Sequence, residues 1–280
     1  MKVFYKNESL QENLSKIKKD ASIGFVPTMG ALHEGHLSLI KKAKAENKFI
    51  VVSIFVNPTQ FDKKEDLMKY PRTLEEDLAL LKTVDCDIVF VPSVSEIYNN
   101  HIKAANFDFD GLEFEMEGKH RKGHFNGVGT IVKRLFEIVE PNKAYFGEKD
   151  FQQLQIIKKL VEKYAIPTEI IGCEIYRERD GLAMSSRNIR LSKSQRKEAP
   201  FIYKTLETAT KKFKEKSISE VVTWVEREFQ KSDLLTLEYF EIANIETLKS
   251  AKRKSKKSTY RGFIAVFAGK IRLIDNIALN

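Results

Sequence analysis

Short apolar runs along this 280-residue chain alternate with stretches whose apolar positions recur every three or four residues. ASIGFV (21–26), FIVVSIFV (49–56), DIVFVP (87–92), AYF (144–146) and TEIIGC (168–173) are rich in β-branched and aromatic residues. Their apolar positions are consecutive rather than alternating, which predicts strands buried on both faces. Helical periods lie between them. HLSLIKKAKAE (36–46) places Leu37, Ile40 and Ala43, or Leu39 and Ala43, on one face, and GVGTIVKRLFEIV (127–139) repeats Val128, Ile131, Val132, Leu135 and Val139. QQLQIIKKLVEKY (152–164) follows the same period. TLEEDLALLK opens on Thr73 with Glu76 three residues on, the spacing of a capping box. Strands alternating with helices predict an α/β domain built on a doubly wound parallel sheet, with right-handed crossovers.

After about residue 174 the pattern changes. SKSQRKEAPFIYKTLETATKKF reads as one helical stretch with Ser192 and Gln195 as a capping pair, and SEVVTWVEREF as a second. LEYFEIA (237–243), YRGFIAVF (260–267) and KIRLIDN (270–276) are strand-like and can pair antiparallel. The expected organisation is a doubly wound domain over residues 1–174 and a smaller α+β domain over 175–280. There is no internal repeat and no low-complexity linker.

Composition narrows the class. Apolar residues make up 42% and charged residues 31%, a globular balance. No apolar run approaches the ~18 residues of a membrane span, and MKVFYKNESLQENLSKIKK lacks the uninterrupted apolar core of a secretory signal. Cys86 and Cys173 lie far apart among apolar or β-branched neighbours, as buried thiols of a reducing compartment do, so the expected location is cytoplasmic. The net charge of +9 is concentrated late: residues 191–280 carry 19 Lys and Arg against 11 Asp and Glu, or +8. KRKSKKS (252–258) is the densest basic run. No aromatic residue interleaves its lysines as a base-stacking platform requires, so it is expected to be a solvated loop rather than a nucleic-acid surface.

Candidate chemistry begins in PTMGALHEGHLSLIKKAK (27–44). His33 and His36 stand three apart where the first long strand gives way to a helix. The zinc-protease helix motif spaces its histidines four apart, and no third ligand stands out, so zinc is a poor fit. Position favours an anion instead. The carboxyl end of a parallel strand is where open sheets bind ligands, and a helix start offers N–H groups and a positive dipole end. Gly30 and Gly35 allow close backbone approach, and two imidazoles there can stabilise charge on a phosphate under attack. Other polar clusters fall at equivalent strand ends, FVNPTQF with Asn57 and Gln60 and GEKD (147–150), while MSSRN (184–188) begins the second domain with hydroxyls and a guanidinium that suit polyphosphate.

Together PTMGALHEGH, FVNPTQFDKKEDLMKYPRT, GHFNGVGTIV, YFGEKDFQQL and RDGLAMSSRN closely resemble the pantoate–β-alanine ligase family, within the H-x-G-H nucleotidylyltransferase superfamily. The resemblance runs in order from about residue 20 to 195 and fades in the C-terminal domain, which in the family is a variable lid. Ala31 stands where Asn is frequent, and Asn126 sits in GHFNGV where others vary.

The resemblance implies a Rossmann-like domain and an ATP-dependent condensation of D-pantoate with β-alanine to pantothenate, AMP and pyrophosphate, through a pantoyl adenylate. It implies His36 as the acid-like donor to the α-phosphate and His33 as its partner. It maps ATP onto Met29, Gly30, Ala31, Leu32, His33, Glu34, Gly35 and His36, onto Gly147, Glu148, Lys149 and Asp150, onto Tyr176, and onto Met184, Ser185, Ser186 and Arg187. Asp150 would meet ribose hydroxyls, while Lys149, Ser185, Ser186 and Arg187 would hold phosphates. Gln60, Gln153 and Asn57 would bind pantoate, with Gln60 also near β-alanine. Mg²⁺ is expected on the β- and γ-phosphates rather than in a protein cage. The expected partners are these small molecules and a second copy of the chain, with no nucleic acid and no membrane. Two rival readings remain open on the residues alone: a class I aminoacyl-tRNA synthetase-like enzyme, and a non-catalytic nucleic-acid-binding protein using residues 252–258.

Overall fold

The computed structural model describes residues 1–18, 21–62, 64–99 and 101–280. They divide into two compact units, Met1–Glu148 with Gln153–Glu174, and Lys149–Gln152 with Ile175–Asn280. The first holds a six-stranded, fully parallel sheet. Its strands are β1 (Lys2–Phe4), β2 (Ile23–Thr28), β3 (Phe49–Ile54), β4 (Ile88–Phe90), β5 (Lys143–Gly147) and β6 (Glu169–Cys173), in the order β1-β4-β3-β2-β5-β6. Its helices are α1 (Asn7–Ile17), α2 (Glu34–Glu46), α3 (Lys64–Lys69), α4 (Leu74–Thr83), α5 (Val94–Tyr98), α6 (Met116–His120), α7 (His124–Val139) and α8 (Phe151–Lys163), the last beginning in the second unit.

The consecutive apolar residues of the strands are divided between two buried faces. Val26, Ile50 and Val52 pack with Leu37, Ile40 and Ala43 of α2 and Leu81 of α4. Phe25 points the other way, edge-on to Phe136 of α7 at 6.2 Å. The central strands β2 and β3 are therefore covered on both sides, as their composition requires. Among the described elements, β1, α1, α3, α5 and α6 escape the sequence pattern. β1 is only three residues long, and α1 is largely polar, burying Leu10 and Leu14 alone. The expected capping box at Thr73 does not form. Thr73 stands at the N-cap of α4 without a capping bond, and its hydroxyl donates to Asp77 Oδ1 at 3.3 Å.

Cys86 and Cys173 are both free and buried. Burial pushes the Cys86 thiol up to about 12 and the Cys173 thiol up to about 11, which suppresses the reactive thiolate. An aromatic disulfide reagent at pH 8 is therefore expected to label neither thiol in the native protein and both in denaturant. Rapid labelling of the native chain, followed by absorbance, would contradict this.

The second unit packs three helices on a three-stranded antiparallel sheet: α9 (Lys193–Glu198), α10 (Phe201–Glu215) and α11 (Ile218–Phe229), with β7 (Leu235–Asn244), β8 (Tyr260–Ala268) and β9 (Ile271–Ala278). Leu206, Ala209, Val221, Val225, Ile264 and Val266 are fully or almost fully buried in one core. Ser192 and Gln195 form the expected capping box, and Ser217 with Glu220 forms another. The first helical stretch is not continuous. Pro200 has no N–H and its ring opposes the carbonyl four residues back, so the chain turns at Ala199–Pro200 and restarts at Phe201. The basic run lies in the loop between β7 and β8, but Lys254 is not merely solvated. Its ammonium sits 4.3 Å from the Phe213 ring centroid and donates to the Phe213 carbonyl, one of the last in α10. Among the described residues, no helix is long and apolar enough to cross a membrane.

Candidate active site

The chain runs from β2 outward to β3 and β4, then returns to add β5 and β6 on the other side of β2. The carboxyl ends of β2 and β5 thus form the switch point where open α/β sheets bind ligands. The loop after β2 is built around two successive left-handed residues, Gly30 at φ 81° and Ala31 at φ 50°. The left-handed region costs a residue with a side chain roughly 1–2 kcal/mol, least for Asn and Asp. Asn would be less strained than Ala at position 31. Asp77, on the first turn of α4, offsets the cost here. It is 1% exposed, and its Oδ2 accepts from Ala31 N at 3.0 Å while Oδ1 accepts from Leu32 N at 2.7 Å.

Beyond Leu32, His33 takes the N-cap position of α2 with extended backbone but makes no side-chain capping bond. His36 lies one turn on, and the two ring centroids are 4.1 Å apart. The pair is thus held together at the helix start without serving as its cap. Ala31 and Leu32, expected among the ATP contacts, have their amides committed to Asp77.

After β3, Asn57, Pro58, Thr59 and Gln60 form a tight single turn. Asn57 is expected to touch pantoate, but its amide is fully engaged within the protein. Its Oδ1 accepts from the Tyr98 hydroxyl, the Thr59 hydroxyl and Thr59 N, while Nδ2 donates to Gln60 Oε1 at 3.0 Å and to the Gly127 carbonyl at 3.2 Å. Asn57 therefore orients Gln60 rather than facing solvent. Burial holds the Tyr98 phenol above its usual range, so it stays protonated and able to donate. A Cβ on Gly127 would lie 2.2 Å from the Thr59 carbonyl, so only glycine lets α7 approach this turn.

Gln60 is steadied further by His124 and Arg121. His124 Nδ1 lies 2.7 Å from the Gln60 carbonyl, and Arg121 Nη1 lies 3.1 Å from His124 Nε2. A carbonyl only accepts and a guanidinium only donates, so His124 is the neutral Nδ1–H tautomer. Gln60 Nε2 in turn donates to Met29 Sδ at 3.1 Å, joining the β3 loop to the β2 loop. Gly147 ends β5 and Glu148 opens the turn that follows it, and Gln153 is half-buried on α8. Asp77, Tyr98, His124 and Arg121 were not anticipated as supports. The only sequence signal was the place of His124 in GHFNGV.

The remaining candidates belong to the second unit. Lys149 and Asp150 form an ion pair at 3.0 Å, and the Lys149 carbonyl accepts from Asn276 Nδ2 at 2.9 Å. Tyr176 and Met184 are brought together because Met184 N donates to the Tyr176 carbonyl at 3.0 Å beside an antiparallel bridge between Arg177 and Ala183. Ser185 Oγ accepts from Arg187 N at 3.2 Å, which folds Met184–Arg187 into a compact turn. Asn188 anchors that turn to Glu178, and Arg196 clamps Glu178 and Asp180 at 2.5 and 2.6 Å. The base of the hairpin is fixed by Arg177, whose guanidinium forks onto Asp275 at 2.6 and 3.0 Å and lies 3.7 Å from the Tyr203 ring centroid.

A parallel sheet with a histidine pair at its switch point, followed by a small antiparallel unit, defines a Rossmann-like α/β enzyme. A family model described as Pantoate-beta-alanine ligase matches residues 2–278. The pantothenate synthetase of Christiangramia forsetii is 57% identical over 282 residues and that of Flavobacterium psychrophilum 55% over 281, each covering 100% of both chains. The crystal structure of pantothenate synthetase from Thermus thermophilus matches with a TM-score of 0.92 at 39% identity, covering 100% of this chain and 99% of that one. A pantoate–β-alanine ligase from Francisella tularensis, complexed with β-γ ATP and β-alanine, matches with a TM-score of 0.81 at 36% identity, covering 100% of this chain and 98% of that one. The chain belongs to the pantoate–β-alanine ligase family.

Proposed function

We propose that the ATP-dependent joining of pantoate to β-alanine, which family membership assigns to this chain, proceeds through a pantoyl adenylate formed at the loops after β2 and β3. A carboxylate oxygen leaves poorly. Attack of pantoate on the α-phosphate of ATP expels pyrophosphate and makes that oxygen part of AMP, and the amine of β-alanine then displaces AMP from the carbonyl. The observation that carries this reading is the close imidazole pair at the start of α2. His36 is assigned as donor to the α-phosphate and His33 as its partner on the phosphate oxygens. Gly147, Glu148, Lys149, Asp150, Tyr176 and the Met184–Arg187 turn are assigned to the rest of ATP, with Arg187 supplying the directional phosphate contact.

Gln60 and Gln153 are assigned to pantoate, Asn57 to the orientation of Gln60. No group of three or more His, Cys, Asp and Glu residues among those described could hold a metal ion. Mg²⁺ is assigned to the β- and γ-phosphates, because the ion usually binds through substrate phosphates and water, and there it would neutralise charge on the departing pyrophosphate. A homodimer acting in the cytoplasm, without nucleic-acid partners, completes the proposal.

Exchange of labelled pyrophosphate into ATP tests it: exchange should require pantoate, and dependence on an amino acid or no exchange would refute it. Gln60→Ala tests the substrate assignment. A hydrogen bond to a charged group is worth about 1.5–3 kcal/mol, so pantoate affinity should fall roughly tenfold to a hundredfold while ATP affinity hardly moves. Equal loss for both ligands would count against the assignment.

A further inference from the structure

Asp77 is an unusual presence beneath the β2–α2 loop. It is buried, yet the partners its carboxylate has among the described residues are two main-chain amides, of Ala31 and Leu32, and the Thr73 hydroxyl, all neutral. A buried carboxyl group is costly unless it is hydrogen-bonded. Here the two amides approach its two different oxygens, so both oxygens accept. An asparagine could satisfy one amide but would turn its own NH₂ toward the other.

What the carboxylate holds is a strained stretch of backbone next to the chemistry. Gly30 and Ala31 are consecutive left-handed residues, and the amides that Asp77 grips are those of Ala31 and of its successor. A Cβ at Gly30 would meet Asp77 Oδ2 at 2.9 Å and Ile54 at 3.1 Å, so the loop is seated directly on the carboxylate. One residue past Leu32 the chain reaches His33 at the N-cap, and one turn later His36. The conformation that Asp77 enforces at position 31 thus sets where the imidazole pair begins.

We infer that Asp77 is a positioning residue for adenylate formation, acting through the main chain of Ala31 and Leu32 to place His33 and His36. The inference rests on the roles proposed above for those histidines. Asp77 is buried and its carboxyl oxygens are taken up by the Ala31 and Leu32 amides, so its removal misplaces donors rather than deleting one.

Asp77→Asn is nearly isosteric and keeps the volume at this site. Its pantoate-dependent ATP–pyrophosphate exchange is expected to fall in kcat by roughly 10²-fold, the scale of an ångström-sized misplacement, with KM for ATP changing far less. Glycine adopts the left-handed conformation freely, so adding Ala31→Gly to Asp77→Asn should recover about tenfold of the lost rate. NMR should show the amide protons of Ala31 and Leu32 moving upfield in Asp77→Asn as the carboxylate acceptor is lost. Should Asp77→Asn not fold, Thr73→Val, which removes only the hydroxyl from the same carboxylate, should show the same selective loss in smaller degree. Near-parental exchange in Asp77→Asn overturns the inference, as does a loss that Ala31→Gly fails to relieve, or a folded variant whose Ala31 and Leu32 amides do not shift. His36→Ala separates the two levels. If that variant is inactive while Asp77→Asn is normal, only the positioning role fails; if it too is normal, the roles of the histidines fail first.

Discussion

Replacing His36 by alanine is expected to slow pantoate-dependent ATP–pyrophosphate exchange by roughly 10²- to 10³-fold, as for loss of one preorganised donor to a developing charge. The ring stands at the third residue of α2, beside His33 at a centroid distance of 4.1 Å. The same helix start supplies main-chain N–H groups and the positive end of the dipole, and these survive the substitution. ATP binding should therefore weaken far less than the rate. A filter-binding or calorimetric measurement of ATP affinity beside the exchange assay distinguishes the two. Near-normal exchange in a folded His36→Ala protein would remove this side chain from the mechanism.

Asp275→Ala is expected to destabilise the second unit by about 3–5 kcal/mol, the cost of stranding a largely buried partner charge. Arg177 loses both arms of its fork and, among the described residues, keeps the Gly181 and Asn276 carbonyls and the face of Tyr203. The single tryptophan, Trp224, lies on α11 of this unit, so its fluorescence during urea titration reports the relevant transition. Replacing the pair together, as Arg177→Met with Asp275→Leu, should restore much of the loss, because a buried ion pair is often no better than apolar residues of similar volume. Unchanged urea midpoints in Asp275→Ala would show that the fork contributes little.

What could be read in the sequence divides along physical lines. β2, β3, β5 and β6 were legible because burial on both faces leaves a continuous apolar run, and α2 and α7 because one face must repeat every three or four residues. β1 was not, since three residues carry no period. The break at Pro200 was written in the sequence, but the apolar period on either side of it masked the turn. In the site, the imidazole pair and the Gln60 turn announced themselves as polar groups at strand ends. Their supports did not. Asp77 acts on amides 45 and 46 residues away, and it was hidden in an ordinary acidic helix start, where Thr73 and Glu76 suggested a capping box. Asn57 was visible, but only its four hydrogen-bond partners show that it braces Gln60 rather than reaching outward.

The division of the chain has a practical edge. Residues 149–152 belong with 175–280, held through the Asn276 bond to the Lys149 carbonyl and the packing of Phe151 against Phe263 and Arg261. The polypeptide therefore passes between the units three times, at 148/149, 152/153 and 174/175. No single scission regenerates both halves: a fragment ending at 174 carries Lys149 and Asp150 away from the strands that fix them. A split-enzyme reporter or domain graft cut there would divide the GEKD segment's supports between two molecules, whereas transplanting the second unit whole means taking this four-residue strip along with it.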